Sequence, residues 1–169
     1  ATVTVGVIGD PVRHSLSPTL HNAAFDALGV DAQSLAFPVA DGDAAAAVDA
    51  MRALGIRGLS VTMPHKASVL DAADRRASQA EALVAANCLI NDDGVVTAHN
   101  TDGDGLVRSL RVENDTDPSG ARVVVLGAGG AARSVIEALG RAGAADVVVV
   151  NRTEARAERA AALAGPVGR

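Results

Sequence analysis

The strongest chemical signature in the chain is Gly127-Ala128-Gly129-Gly130-Ala131-Ala132. An apolar run, Arg122 to Leu126, leads into it, a helical stretch follows from Arg133 to about Leu139, and a second apolar run spans Asp146 to Val150. Strand, glycine turn, helix and strand in that order make half of a dinucleotide-binding fold. Gly127 permits the sharp turn, Gly129 lets the backbone approach a pyrophosphate, and Ala132 keeps helix and strand close. Gly127, Ala128, Gly129, Gly130 and Ala131 would then line the phosphates, helped by the N–H groups and partial positive charge of the helix N-terminus. The second run ends at Asn151-Arg152-Thr153, with Arg156 one helical turn on. An NAD site usually carries Asp or Glu there for the ribose 2′-hydroxyl. A carboxylate would repel a 2′-phosphate, whereas a guanidinium grips it. Arg152 also stands where a helix should begin, against the helix dipole, which points to a bound anion. The pattern therefore favours NADP over NAD.

Three further groups sit where strands should end. Ser15 and Ser17 follow the first predicted strand, and together they could hold a substrate carboxylate; Ser17 before Pro18 also reads as a helix N-cap. Lys66 follows Met63-Pro64-His65, where proline stops a strand and aims the lysine outward from the sheet edge. Ligands favour that carboxyl edge in open α/β sheets. Asn100-Thr101-Asp102-Gly103-Asp104-Gly105 resembles the start of a calcium loop, but its twelfth position is Arg111 and not the closing glutamate, so calcium is rejected. The four histidines show no metal spacing and no metal site is expected. Cys88 reads as a small buried hydrophobe.

The elements that must position these groups follow from pattern and punctuation. Thr2 to Ile8, Ala32 to Val39 and Gly58 to Thr62 read as strands. Between them lie helices over Ser17 to Leu28, with Leu20, Ala24 and Leu28 on one apolar face, and over Asp43 to Leu54. This βαβαβ opening implies a mostly parallel sheet flanked by helices. Ala67 to Ala73 and Ser78 to Ala85 look helical. A hairpin spans Asn87 to Ala98 around Asp93-Gly94. A short helix covers Leu106 to Leu110, then Val112 to Gly120 is a polar linker. A last helix covers Glu154 to Ala164. The fold class is α/β: an N-terminal α/β substrate domain over 1–105, a connecting helix and linker over 106–120, and over 121–169 the first part of a Rossmann dinucleotide-binding domain. Only two strands follow the linker where a full domain has about six, so its carboxyl part is expected to lie outside this sequence.

The 169 residues are 49% hydrophobic, with two Phe, no Tyr and no Trp, so the core must be built from Val, Leu, Ile and Ala. The net charge of −5, with mixed signs, argues against nucleic acid or an anionic membrane as partner. No apolar run approaches a membrane span. A single cysteine and the absence of a signal-peptide pattern lead to the expectation of a cytoplasmic protein.

Taken together, Ser15-Leu16-Ser17-Pro18, Ser60-Val61-Thr62-Met63-Pro64-His65-Lys66, Ala86-Asn87, Asn100 to Gly105, Gly127 to Ala132 and Asn151-Arg152-Thr153 resemble, in order, the shikimate dehydrogenase family. The resemblance implies reversible reduction of 3-dehydroshikimate to shikimate with NADPH. It makes Lys66 and Asp102 the catalytic pair. It gives the substrate carboxylate to Ser15 and Ser17, and the ring hydroxyls to Thr62, Lys66, Asn87 and Asp102. Ser60 departs from an asparagine common in the family. A substrate-contacting glutamine from a helix near the family's carboxyl end has no counterpart here. Two rivals are a quinate/shikimate dehydrogenase using NAD and a non-catalytic module that binds shikimate or NADP. A homodimer is the assembly considered, although nothing in the sequence reads out oligomeric state.

Overall fold

β-Branched residues make Val3–Gly9 a strand (β1). In the computed structural model, which describes residues 1–169, β1 lies inside a six-stranded mixed sheet. Its other strands are Ala32–Pro38 (β2), Gly58–Val61 (β3), Arg75–Arg76 (β4), Cys88–Asp92 (β5) and Val95–His99 (β6), in the order β2-β1-β3-β5-β6-β4. β1 pairs in parallel with both β2 and β3, as the opening pattern predicts. β5 then runs antiparallel to β3, and the hairpin to β6 reverses the chain again. Asp93 and Gly94, at φ 50° and 93°, both take the left-handed conformation that a tight hairpin turn requires. The two-residue, doubly charged β4 is too short to carry a periodic signal.

Ser17–Leu28 (α1), Ala44–Ala53 (α2), Val69–Ala72 (α3) and Ser78–Leu83 (α4) cover this sheet, the last two being shorter than their sequence runs. The main core gathers Ile8, Val48, Met51, Leu59, Val61, Val69, Leu70, Leu89 and Val96. Residues 1–100 form one compact unit.

α1 corrects two expectations. Leu16 and not Ser17 occupies the N-cap position, and no side chain caps the helix. The supposed apolar face also points outward, with Leu20 66% and Leu28 75% exposed. Hydrogen bonding decides which face turns in. β2 is an edge strand, so the outward N–H and C=O of its buried Ser34 need partners. The Asn22 amide supplies both: Ser34 N–H donates to Asn22 Oδ1 at 2.7 Å and Asn22 Nδ2 donates to the Ser34 carbonyl at 3.1 Å. His21 Nδ1 lies 3.1 Å from Ser34 Oγ. Asn22→Ala strands a buried donor and acceptor together, a loss of about 1–3 kcal/mol, and chemical denaturation of the variant is expected to show it.

Residues 101–169 form the second unit, built from Asp102–Glu113 (α5), Arg122–Leu126 (β7), Gly130–Arg141 (α6), Asp146–Val150 (β8), Glu154–Ala161 (α7) and a 3-10 turn over Ala162–Val167. β7 and β8 pair in parallel. α5 starts four residues before the predicted Leu106 and runs past Leu110, so only 114–120 is linker. The Asp-Gly run reads as a loop, yet Asp102 and Asp104 suit the positive end of a helix. Gly103 lets α5 lie against α6: a Cβ there would stand 2.7 Å from the Ala138 Cβ. α6 likewise begins at Gly130, earlier than Arg133, and α7 stops at Ala161, short of Ala164. Ile136, Leu139, Val147, Val149, Ala160 and Ala164 pack one face of this two-stranded sheet, while Val124, Leu126 and Val150 are exposed. No helix of the chain is long and apolar enough to cross a membrane.

Candidate active site

The carboxyl ends of β1 and β3 and the amino end of β5 share one edge of the first unit's sheet. Backbone bonds lock that edge. Thr62 N–H donates to the Ile8 carbonyl at 3.0 Å, and Asp10 N–H donates to the Met63 carbonyl at 2.9 Å. Gly9, last in β1, permits this approach: a Cβ there would collide with the Thr62 side chain and stand 3.1 Å from the Met63 oxygen. His65 N–H closes a turn onto the Thr62 carbonyl at 3.0 Å. Lys66 follows, half-buried, and its carbonyl accepts the Ala86 N–H at 2.7 Å. The next residue along from Ala86, Asn87, donates its N–H to the His99 carbonyl at 3.0 Å, and its own carbonyl accepts the Val61 N–H at 2.8 Å. Thr62, Lys66 and Asn87 therefore stand on one backbone lattice.

Ser15 and Ser17 lie in the segment after β1. Ser15 N–H donates to the Val12 carbonyl at 2.9 Å. Ser15 Oγ donates to Ser17 Oγ at 3.2 Å and accepts the Ser17 N–H at 3.3 Å. Ser17 keeps its hydroxyl proton to donate, and turning the Ser15 hydroxyl away from Ser17 would give two neighbouring donors of the kind a carboxylate accepts. Asp102, half-buried, belongs to the second unit, as the first residue of α5.

The glycine loop has the geometry a pyrophosphate needs. Gly127 takes φ 108°, open to glycine alone, and donates its N–H to the Val150 carbonyl at 2.7 Å. Gly129 stands at the N-cap of α6, so Gly130, Ala131 and Ala132 supply the first turn. A Cβ on Gly127 or Gly129 would meet nothing within 4 Å, leaving the space above the loop clear, with Ala128 half-buried between them. Asn151 turns back on its own loop, its amide donating to the Thr153 carbonyl at 2.9 Å. Arg152 and Arg156 are exposed at the start of α7 and make no ion pair, unlike Arg141, which is tied to Asp104 and Glu137. Two unpaired guanidiniums and no carboxylate among Asn151, Arg152 and Thr153 fit a dinucleotide carrying a 2′-phosphate.

Cys88 is half-buried rather than fully buried, and that burial pushes its thiol above the ordinary range. The thiolate is disfavoured there, in keeping with a cysteine that packs. No three His, Cys, Asp or Glu side chains gather as a metal site would need. Pattern and spacing alone pass over a buried histidine and a buried asparagine. His65 is 0% exposed and Asn100 5%. Asn100 Nδ2 donates to the Ala85 carbonyl at 2.8 Å, fixing the chain where β6 ends. Both residues sit inside runs that carry the family resemblance, but nothing local foretells their burial or the carbonyls they meet.

Two family models match the chain: a shikimate dehydrogenase substrate binding domain over residues 7–89, and a shikimate / quinate 5-dehydrogenase over residues 110–167. An NADP(+) shikimate dehydrogenase of Geobacter sp. (strain M21) is 50% identical over 152 residues, covering 90% of this chain and 52% of its own length. The Thermus thermophilus shikimate 5-dehydrogenase, solved with NADP(H) and shikimate, superposes with a TM-score of 0.90 at 33% identity, covering 97% of this chain and 61% of that one. The Listeria monocytogenes shikimate 5-dehydrogenase, solved with shikimate and NAD, gives a TM-score of 0.89 at 38% identity, covering 99% and 58%. The chain thus spans little more than half the length of these relatives.

Proposed function

The chain belongs to the shikimate dehydrogenase family, and from that membership we propose that the full-length protein is an NADP-dependent oxidoreductase that reversibly reduces 3-dehydroshikimate to shikimate. Residues 1–100, with Asp102 at the start of α5, form its substrate-binding and catalytic part, 114–120 links α5 to β7, and 121–169 is the start of its cofactor domain. The observation that carries this reading is Lys66, fixed beside Thr62 and Asn87 at the carboxyl edge of the sheet.

NADPH, when bound, supplies the hydride to the ring ketone. Lys66 supplies the proton. Its ammonium donates to the ketone oxygen as negative charge develops there, and stabilises that charge meanwhile. By the family resemblance, Asp102 is the carboxylate that completes the catalytic pair with Lys66. In the oxidative direction the same amine, deprotonated, takes the hydroxyl proton. Ser15 and Ser17 donate to the substrate carboxylate, while Thr62 and Asn87 hydrogen-bond ring hydroxyls and fix which carbon faces the cofactor. Gly127 to Ala131 bear the pyrophosphate, and Asn151, Arg152, Thr153 and Arg156 bind the adenosine 2′-phosphate.

The deciding experiment is oxidation of shikimate by the full-length protein, followed in the nicotinamide absorbance band with NADP and NAD side by side. Turnover with NADP ahead of NAD supports the reading. NAD ahead of NADP would remove the role given to Arg152 and Arg156. Shikimate binding with no absorbance change would leave a ligand-binding module and no enzyme. A steric prediction accompanies it. Gly9→Ala must displace Thr62 or the Met63 carbonyl, and misplacement by about 1 Å costs roughly 10²-fold. Steady-state kinetics of the folded variant are expected to show a loss of that order in kcat/KM.

A further inference from the structure

Among the four histidines, only His65 is fully buried, at 0% exposure. Its Nε2 lies 2.8 Å from the carbonyl of Val39, the residue after β2. A carbonyl only accepts, so the proton sits on Nε2 and the ring donates. Nδ1 has no partner, so this is the one hydrogen bond the imidazole makes. A phenyl ring would fill the same space without burying an unpaired nitrogen. The polar ring is therefore accounted for by what it ties together.

Val39 N–H donates to the Gly9 carbonyl at 3.2 Å, and Asp10 N–H donates to the Met63 carbonyl at 2.9 Å. With the imidazole bond these contacts close a ring: β1 to the end of β2, the end of β2 to His65, and the turn holding His65 back to β1. The His65 carbonyl is also engaged, accepting from Val69 N–H at 3.1 Å and from Ser68 Oγ at 3.2 Å. Lys66 is the next residue, so its Cα is carried on a turn clamped from both sides. We propose that His65 is a positioning residue, whose buried imidazole bolts the turn before Lys66 to the end of β2 and fixes where the lysine amine is presented. The inference rests on the reading of Lys66 as proton donor.

The test uses the full-length protein. His65→Phe keeps a flat ring and drops the donor; His65→Gln places an amide nitrogen near the position of Nε2. Per folded molecule, H65F is expected to lose roughly 10-fold or more in kcat, with KM for NADPH within about twofold and a larger solvent deuterium isotope effect on kcat. H65Q is expected to recover most of that loss. An H65F protein that folds and turns over at the wild-type rate would overturn the proposal, as would an H65Q protein no better than H65F. Should H65F fail to fold, long-range proton–nitrogen spectra of the wild-type ring decide instead. A proton on Nε2 with a bare Nδ1 supports the bolt, and a proton on Nδ1 removes it. Those spectra need no turnover, so a wild-type protein inert toward shikimate defeats the functional reading separately.

Discussion

Lys66→Met in the full-length protein is expected to lower kcat by about 10²–10⁴-fold, the range a positioned general acid contributes, with the fold intact. Methionine keeps an unbranched stem of similar length and removes the ammonium, so the proton source and the charge that stabilises the nascent alkoxide disappear together. The backbone at this residue is held by the Ala86 N–H, which the substitution leaves in place. KM for the cofactor should therefore change little, while affinity for shikimate falls modestly with one lost hydroxyl contact. Single-turnover measurements starting from preformed ternary complex separate the chemical step from binding. Turnover at the parental rate near neutral pH would remove Lys66 from the chemistry and the proposed mechanism with it.

The double substitution Arg152→Ala, Arg156→Ala should have the next largest effect, and it should fall on one cofactor only. Hydrogen bonds to charged groups contribute about 1.5–3 kcal/mol each. At about 1.4 kcal/mol per factor of ten, two such arginines amount to roughly 10²–10⁴ in NADP affinity. NAD lacks the 2′-phosphate and should bind the variant about as it binds the parent. Both side chains are exposed and make no ion pair, so removing them leaves the fold as it is. Fluorescence titration with the two reduced cofactors measures the ratio directly. Equal losses for both would mean that the arginines do not read the phosphate.

Much of this fold is written in local pattern. β1, β2, α2 and β3 announce themselves through alternating or helical apolar spacing and through Gly9, Gly55 and Pro64 at their ends. The Asp93-Gly94 turn is legible because few residue pairs accept two left-handed conformations. Features set by distant partners are not legible. Leu20 and Leu28 form a good apolar stripe, yet α1 turns Asn22 inward, because the amide completes the hydrogen bonds that edge strand β2 would otherwise leave open. Gly103 reads as a loop glycine until α6 is seen lying against it. The site divides the same way. Ser15, Ser17 and Lys66 could be placed on one edge from the predicted strand ends, whereas Thr62 and Asn87 enter only through the family resemblance. His65 could not be placed, since a lone histidine in a sequence says nothing about the carbonyl it will meet.

The chain contains neither indole nor phenol; its rings are phenylalanine and histidine. These 169 residues are therefore almost transparent in the near ultraviolet. Emission excited there from a bound dihydronicotinamide would arrive without energy transfer from the segment, and a single tryptophan introduced at Phe37, which packs beside Gly6 in the middle of β1, would be the segment's sole optical reporter of folding.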